Sequence, residues 1–383
     1  MSLKNKFLHP TKYVVIVILA VNVLVGVLML FSFLSARSRR LNLYSEQAAD
    51  RWDNRDMDYA EISVFYSEAG GLDAGSIQNI RNSIQKKLYE DSYLSEDTEG
   101  RVWIDAYSGH TFDEVRKDSN SIKVNVYTVG GDFFQIHPIP LKSGSYLDME
   151  SSDVNQILLD EYVAWDLFGG SDVAGMKLWI GDSVFTVTGV VKVDESKAYT
   201  QAYGEYNSVY VPIESYSRKD AQSGDTYDEE QLDESNSTGL SGNKGTKALC
   251  YEAVLPSPIK NYALNVVAEA AGIEFKSDEE KEKMRSTLNF EDIEIIDNTA
   301  RYKMIPLITN SRNRDYIEMR ANNIYYPYWE NVARHEETHQ YKSLCYRAWL
   351  LVIPVLSLIY VCIVGINLIK ESLSKLRASI SCR

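Results

Sequence analysis

The sequence predicts an α+β domain held between two membrane-spanning helices. Three observations carry this prediction. Two uncharged apolar stretches of 22 residues, 13–34 and 348–369, lie near the two ends of the chain. Nearly all the acid lies between them: residues 41–346 hold 53 of the 54 Asp and Glu with 29 of the 40 Lys and Arg, a net charge of −24. Within that acidic middle, runs of period two alternate with runs of period 3.6, as strands and helices do.

About 20 apolar residues cross a bilayer core as a helix. In residues 13–34 only Asn22 and Ser32 are polar. The stretch exceeds a signal-peptide core, and Arg37, Arg39 and Arg40 follow it without a small-residue cleavage site, so it reads as an uncleaved anchor. In residues 348–369, Pro354 is tolerated as membrane helices tolerate proline. Tyr346 and Trp349 sit where an interfacial aromatic belt belongs. Lys4, Lys6 and Lys12 precede the first span, and Lys370, Lys375 and Arg377 follow the second. The positive-inside rule therefore puts both termini in the cytoplasm and the domain outside, although Arg37, Arg39 and Arg40 run against it.

Between the spans, Leu41, Tyr44, Ala48 and Trp52 recur at helical spacing and predict a stalk continuing the first helix. Residues 61–66 (EISVFY) alternate as a strand. Residues 76–89 place Ile77, Ile80, Ile84 and Leu88 on one helical face. Strands follow at 101–107 and 122–129, giving a strand–helix–strand, porter-like subdomain. A small β-rich subdomain comes next: a strand at 156–160, a helix at 161–168 stopped by Gly169-Gly170, a hairpin 177–180/184–191 about Gly181-Asp182-Ser183, and a strand at 208–212. Residues 217–247 are nearly devoid of large apolar side chains and predict a mobile acidic insertion. A strand at 248–255, helices at 259–272 and 278–288, a strand at 293–296 and a returning stalk at 324–347 complete the order.

So acidic a domain repels nucleic acid, whose phosphates need cations, and stays off anionic lipid surfaces. The four cysteines, Cys250, Cys345, Cys362 and Cys382, form no CxxC and no disulfide framework. The acids of residues 225–234 do not fit a calcium-loop spacing. His110 and His137 each stand alone in the sequence.

One motif suggests chemistry. His335-Glu336-Glu337-Thr338-His339 fits H-E-x-x-H, which on a helix sets two imidazoles on one face beside a general base. The extended form is not met, since Lys342 occupies its Gly position and Cys345, not His, its last. The stretch reads instead as the solvated last turns before a span. His335, Glu336 and His339 remain the candidates for an alternative, a membrane-anchored zinc metallopeptidase. No catalytic residue and no cofactor is assigned.

Residues 141–212 carry a family pattern. LKSGSYL at 141–147, QILLD at 156–160, AWDLFG at 164–169, VAGMKL at 173–178, FTVTGVV at 185–191 and SVYVP at 208–212 follow one another in order. This block resembles the extracytoplasmic core domain of MacB-like and FtsX-like ABC transporter permeases, with Ser145 where the family commonly has Arg. The resemblance implies a non-ATPase permease-type subunit that passes ATPase-driven motion to an outer domain for export or other envelope work. It implies a cytoplasmic ABC ATPase partner, and a second permease subunit or a homodimer, because the family usually has four membrane helices and two are found here. These residues contain no G-x-x-x-x-G-K-[ST] loop, so ATP hydrolysis is expected on a separate chain.

The expected organisation is a cytoplasmic segment 1–12, span 13–34, stalk 35–57, core domain 58–323 with its insertion at 217–247, returning stalk 324–347, span 348–369 and cytoplasmic tail 370–383. A two-anchor extracytoplasmic sensor or scaffold is a further alternative. It would need an output domain that 14 residues after the second span do not supply.

Overall fold

The computed structural model describes residues 12–41, 43, 47–52, 57–95, 100–151, 155–194, 199–200, 207–216, 247–273, 287–289, 292–312 and 324–381. In chain order the elements are α1 (Lys12–Leu41), α2 (Ala48–Trp52), β1 (Tyr59–Tyr66), α3 (Ala74–Glu90), β2 (Ile104–Lys117), β3 (Asn120–Gly131), α4 (Phe133–Ile136), β4 (Leu141–Gly144), β5 (Gln156–Asp160), α5 (Glu161–Phe168), β6 (Lys177–Ile180), β7 (Ser183–Val191), β8 (Ser208–Pro212), β9 (Cys250–Pro256), α6 (Tyr262–Ala270), β10 (Thr287–Asn289), β11 (Ile293–Asp297), α7 (Asn298–Arg301), α8 (Met304–Arg312) and α9 (Tyr328–Ser381). They form two units, one of Met1–Asn42 with Thr338–Arg383, the other of Leu43–Glu337.

The first unit is a pair of helices. Both are long and apolar enough to cross a membrane, and only 6% of either apolar window is buried. Polar side chains join α1 to α9 at three levels. Asn22 Nδ2 donates to Ser357 Oγ at 3.0 Å and to its own helix at Ile18 O. The hydroxyls of Ser32 and Ser343 lie 3.0 Å apart, and Gln340 Nε2 donates to Ala36 O at 2.7 Å. As positions ascend along α1 they descend along α9, so the helices are antiparallel. Val25, Ala36 and Val364 are the apolar side chains this pairing buries.

The second unit is built on one sheet of eleven strands in the order β10-β11-β1-β9-β2-β3-β8-β5-β7-β4, with β6 alongside β2 and β7. The long β2–β3 hairpin joins its two halves. β2 pairs β9 through residues 104–108 and β6 through Val115 and Arg116, while β3 pairs β8 in parallel through residues 125–129.

Helices α3 and α6 cover one face of the first half. Ile77, Ile80, Ile84 and Leu88 of α3, spaced as the sequence predicts, meet Ile62 and Val64 of β1, Ala253 and Leu255 of β9 and Ile295 of β11. Full burial of each such isoleucine or leucine contributes about 1.5–3 kcal/mol. Asp73 caps α3 by accepting from Ser76 N at 2.7 Å.

The second half carries the family block. Val163, Ala164 and Leu167 of α5 pack on Ile157 and Leu159, Phe185 and Val187, and Val209 and Val211. Asp160 does double duty. One carboxylate oxygen caps α5 at Val163 N, and the other accepts from Ser208 N at 2.6 Å, tying the end of β5 to β8. Gly169 ends α5 in the left-handed region at φ 76°, its N–H bonded to Trp165 O. Gly189 answers a different demand. An added Cβ there would lie 2.6 Å from Ser145 O and 2.7 Å from Ser143 O, where the neighbouring backbone crosses β7.

Three elements differ from expectation. The first strand of the hairpin runs over 104–117 rather than 101–107, because pairing with β3 extends it through the polar sequence SGHTFDEVRK. The first helix stops at Leu41, and Ala48–Trp52 forms a separate short helix whose Ala48 and Ala49 are buried in the domain, not a stalk running to residue 57. Residues 287–289, at the end of the helix expected at 278–288, are a strand paired to β11; the rest of that segment lies outside the described residues. So does the acidic insertion, apart from Lys247.

Candidate functional site

Alternation along a strand sends successive side chains to opposite faces. In β1 it sends Ala60, Ile62 and Val64 to the apolar face under α3 and α6, and Glu61 and Ser63 to the other. Glu252 of β9, level with Ser63, and Glu294 of β11, level with Phe65, join that second face. All four polar side chains are buried. An isolated buried charge is strongly disfavoured, so each of these acids requires partners.

The first turns of α9 supply them. Glu330, Arg334 and Glu337 recur at i, i+4 and i+7, on one helical face. Arg301, at the end of α7, is fully buried and grips Glu330 through two parallel bonds, Nη1 to Oε2 at 2.8 Å and Nη2 to Oε1 at 2.9 Å. Arg334 donates to Glu330 Oε1 at 2.6 Å and to Glu294 Oε2 at 2.7 Å, with its guanidinium 3.8 Å over the Tyr326 ring. The Tyr326 hydroxyl also donates to Glu294. Glu337 lies 3.4 Å from Arg301 Nη2.

Burial pushes the Glu330 carboxyl up, but Arg301 and Arg334 outweigh it and hold the group below the ordinary carboxylate value. At Glu337 burial prevails and the carboxyl is raised, Arg301 offsetting only part of it.

The same face continues toward α4. Arg301 Nη1 donates to Asn298 Oδ1 at 3.2 Å, Asn298 Nδ2 to Ser63 Oγ at 2.9 Å, and Ser63 Oγ to Glu252 Oε1 at 2.9 Å. The other oxygen of Glu252 meets His137 Nε2, and both side chains are buried. Glu61 accepts from Ala48 N at 2.8 Å, which anchors the start of α2 to the sheet. The aromatic rings of Phe133, Tyr210, Tyr328 and Trp329 close the region on the α4 side.

The H-E-x-x-H residues fall on α9 but not in a solvated turn. Glu336 is buried with Glu337, and His335 and His339 are half-buried. The expected solvated face is corrected: Glu336 and Glu337 are buried, and Glu337 meets Arg301 at the end of α7. Among the described residues no group of three or more His, Cys, Asp or Glu is arranged to hold a metal. Of the two lone histidines, His137 is brought to Glu252, 115 residues away in sequence, and His110 stacks on Tyr325 with ring centroids 4.2 Å apart. Burial lowers His110 to about 4, against a smaller opposing effect of its bond to Asn125. The sequence signal for this network was the E-x-x-x-R-x-x-E spacing from residue 330.

Among the described residues the arrangement sets no nucleophile beside a base and open to substrate. It holds a helix in one register on a sheet, by hydrogen bonds beside the apolar contacts of Tyr328, Trp329 and Val332.

The chain is similar to the extracellular domain of the noncanonic ABC-type transporter YknZ from Gram-positive bacteria, at 10% identity and a TM-score of 0.36, covering 56% of this chain and 96% of that one. It is similar to the periplasmic region of MacB from Actinobacillus actinomycetemcomitans, at 16% identity and a TM-score of 0.36, covering 64% and 92%. A domain of a putative permease protein from Porphyromonas gingivalis is similar at 14% identity and a TM-score of 0.29, covering 54% and 78%. No curated protein sequence matches the chain significantly. The sequence profile of the MacB-like periplasmic core domain matches residues 14–238, more than half of the 383 residues, and the chain belongs to that family.

Proposed function

We propose that the chain is a permease-type, non-ATPase membrane subunit of a MacB/FtsX-like ABC transporter complex, which carries ATPase-driven motion to its extracytoplasmic domain. The observation that carries this reading is the family match lying alongside two apolar helices, one on each side of the acidic domain in sequence. The domain's chemistry supports it. Its buried polar residues are used to grip a helix, and α9 is one continuous helix that bears both those ion pairs and the second apolar stretch. Motion delivered along such a helix reaches the sheet through Glu330 and Arg334.

In this reading the termini are cytoplasmic, the ATPase is a separate subunit, and a second permease subunit or a second copy completes the membrane part. The domain limits are those set out from the sequence, except that Ala48–Trp52 belongs to the domain rather than to the first stalk. Co-purification of the tagged chain in mild detergent tests the proposal. An ABC ATPase should accompany it, and ATP with vanadate should change protease protection of the outer domain. Purification of the chain alone from its native membrane, with no ATPase bound after cross-linking, would overturn it.

A further inference from the structure

The end of the helix pair next to the domain in sequence carries the charge that runs against the positive-inside rule. Residues 31–41 and 338–350 hold Arg37, Arg39, Arg40, Lys342 and Arg347 and not one Asp or Glu. Cations gather there although the chain is about to enter its acidic region.

The antiparallel packing brings two of them toward each other. Ser32 and Ser343 face one another, so Phe33 and Lys342 stand at about the same level. Arg347 starts one helical turn from Ser343, about 6 Å deeper along α9, and Arg37 one turn beyond Phe33 in the opposite direction. Helix side chains lean toward the helix N-terminus. In an antiparallel pair Arg347 therefore leans toward the domain and Arg37 toward the membrane, and the two converge. Arg347 shows the lean directly: its Nε donates to Ser343 O at 3.3 Å, and its guanidinium carbon lies 5.7 Å from the centre of the Phe33 ring on α1. Phe33 and Arg37, four residues apart, share one face of α1. Both arginines thus belong to one stripe, on either side of the exposed Phe33 ring.

The depth of this stripe fits a lipid headgroup. Tyr346 and Trp349, both exposed, mark the aromatic belt, and Arg347 lies between them. A guanidinium presents a planar fork of donors that matches phosphate oxygens, and Lys342, also exposed, adds a third charge. Below the fork, the exposed side chains of Leu30, Phe33 and Leu34 are apolar, as acyl chains require and a free anion does not. Arg39 and Arg40 are also engaged within the chain and are left out of the site. A zwitterionic lipid neutralises its own phosphate, so the cations favour a lipid of net negative charge.

We propose that Arg37 and Arg347, with Lys342 beside them, form a binding site for an anionic phospholipid, held by its phosphate. A phosphate shared by the two arginines ties α1 to α9 at this end. The inference goes beyond the transporter reading and needs only that the helix pair crosses a bilayer.

The test uses the fluorescence of Trp349, the single tryptophan of the six that falls within a membrane span. The full chain is placed in bilayers of phosphatidylcholine with increasing phosphatidylglycerol, one lipid or the other carrying brominated acyl chains that quench on contact. The brominated anionic lipid should quench Trp349 at a lower mole fraction than the brominated zwitterionic lipid. That preference should fall about fivefold for each arginine lost in Arg37→Gln and Arg347→Gln. It should be largely kept in Arg347→Lys, and unchanged when Lys370 and Lys375 at the opposite end are both replaced by Gln. Quenching by brominated phosphatidylcholine, equal in all variants, shows that the helix pair is in place. Equal quenching by the two lipids in the wild type overturns the proposal, as cations merely extended to the interface would give. A preference that survives the loss of both arginines overturns it too. So does a preference abolished by millimolar inorganic phosphate, which would assign the site to a soluble anion.

Discussion

Arg301 and Glu330 meet through two parallel hydrogen bonds of 2.8 and 2.9 Å, with neither side chain more than 1% exposed. The pair fixes α9 on the sheet at a particular rotation, because a bidentate contact tolerates little displacement. Removing Glu330 takes from the buried Arg301 its bidentate partner and leaves it the longer contact to Glu337. We expect Glu330→Ala to destabilise the domain by about 3–5 kcal/mol, and the double replacement Arg301→Met with Glu330→Met to cost far less or nothing. Chemical denaturation in nanodiscs measures both. A double variant as unstable as the single one would show that the helix register, rather than the ion pair, was being lost.

The family block depends on a backbone crossing. Gly189→Ala puts a methyl group into the carbonyl oxygens of Ser143 and Ser145, neither of which can rotate away. We expect a loss of about 1–3 kcal/mol, comparable to overpacking elsewhere in protein cores. Gly170, where an added Cβ meets nothing within 4 Å, should accept alanine with little change and serves as the control. Thermal denaturation of the two variants side by side makes the comparison.

Acid should weaken the domain through His110. Burial lowers its folded value to about 4, from an ordinary value of 6.5. The unfolded chain therefore binds a proton that the folded one does not between those limits, and stability falls as the pH drops from 6.5 toward 4. The contribution amounts to at most about 3 kcal/mol. His110→Phe, which keeps a ring against Tyr325, should flatten that part of the stability curve. Glu330 adds to the loss further down, since its folded carboxyl is held below 4.5 and its contribution disappears as the pH falls through that lowered value.

In the membrane unit the hydroxyls of Ser32 and Ser343 lie 3.0 Å apart. Cysteines at both positions, with Cys250, Cys345, Cys362 and Cys382 replaced by serine, should form a disulfide rapidly on mild oxidation, read by peptide mass spectrometry. Cysteines at Phe31 and Ser343 should not, because Phe31 is exposed on α1. Asn22→Leu is expected to cost the pairing only about 0.6 kcal/mol, the usual size of an interhelical hydrogen bond in lipid. A large effect would point to a role for Asn22 outside this contact.

Much of the domain was legible in the sequence because its signals are local. The isoleucines of α3 repeat at helical spacing and are buried as that spacing requires. Gln156–Asp160, Glu161–Phe168 and Ser208–Pro212 match their predicted bounds, since each is a short run with its own stop, Gly169 for the helix and Pro212 for the last strand. Where local signals were weak the reading fell short. The polar end of β2 is a strand only because β3 lies beside it, and 287–289 is a strand only because it finds β11.

By itself the sequence determined two apolar helices, an acidic α+β body and a family, because apolar length, charge count and motif order do not depend on how the chain packs. Only the tertiary structure decided what the acids are for. Glu61, Glu252, Glu294 and Glu330 look alike among 54 acidic residues. They became a buried network when strand pairing set three of them on one face and brought Arg301, Arg334 and His137 against them from distant parts of the chain. Charge in a sequence is a count; its consequence depends on water, and burial is settled by neighbours that no local pattern names.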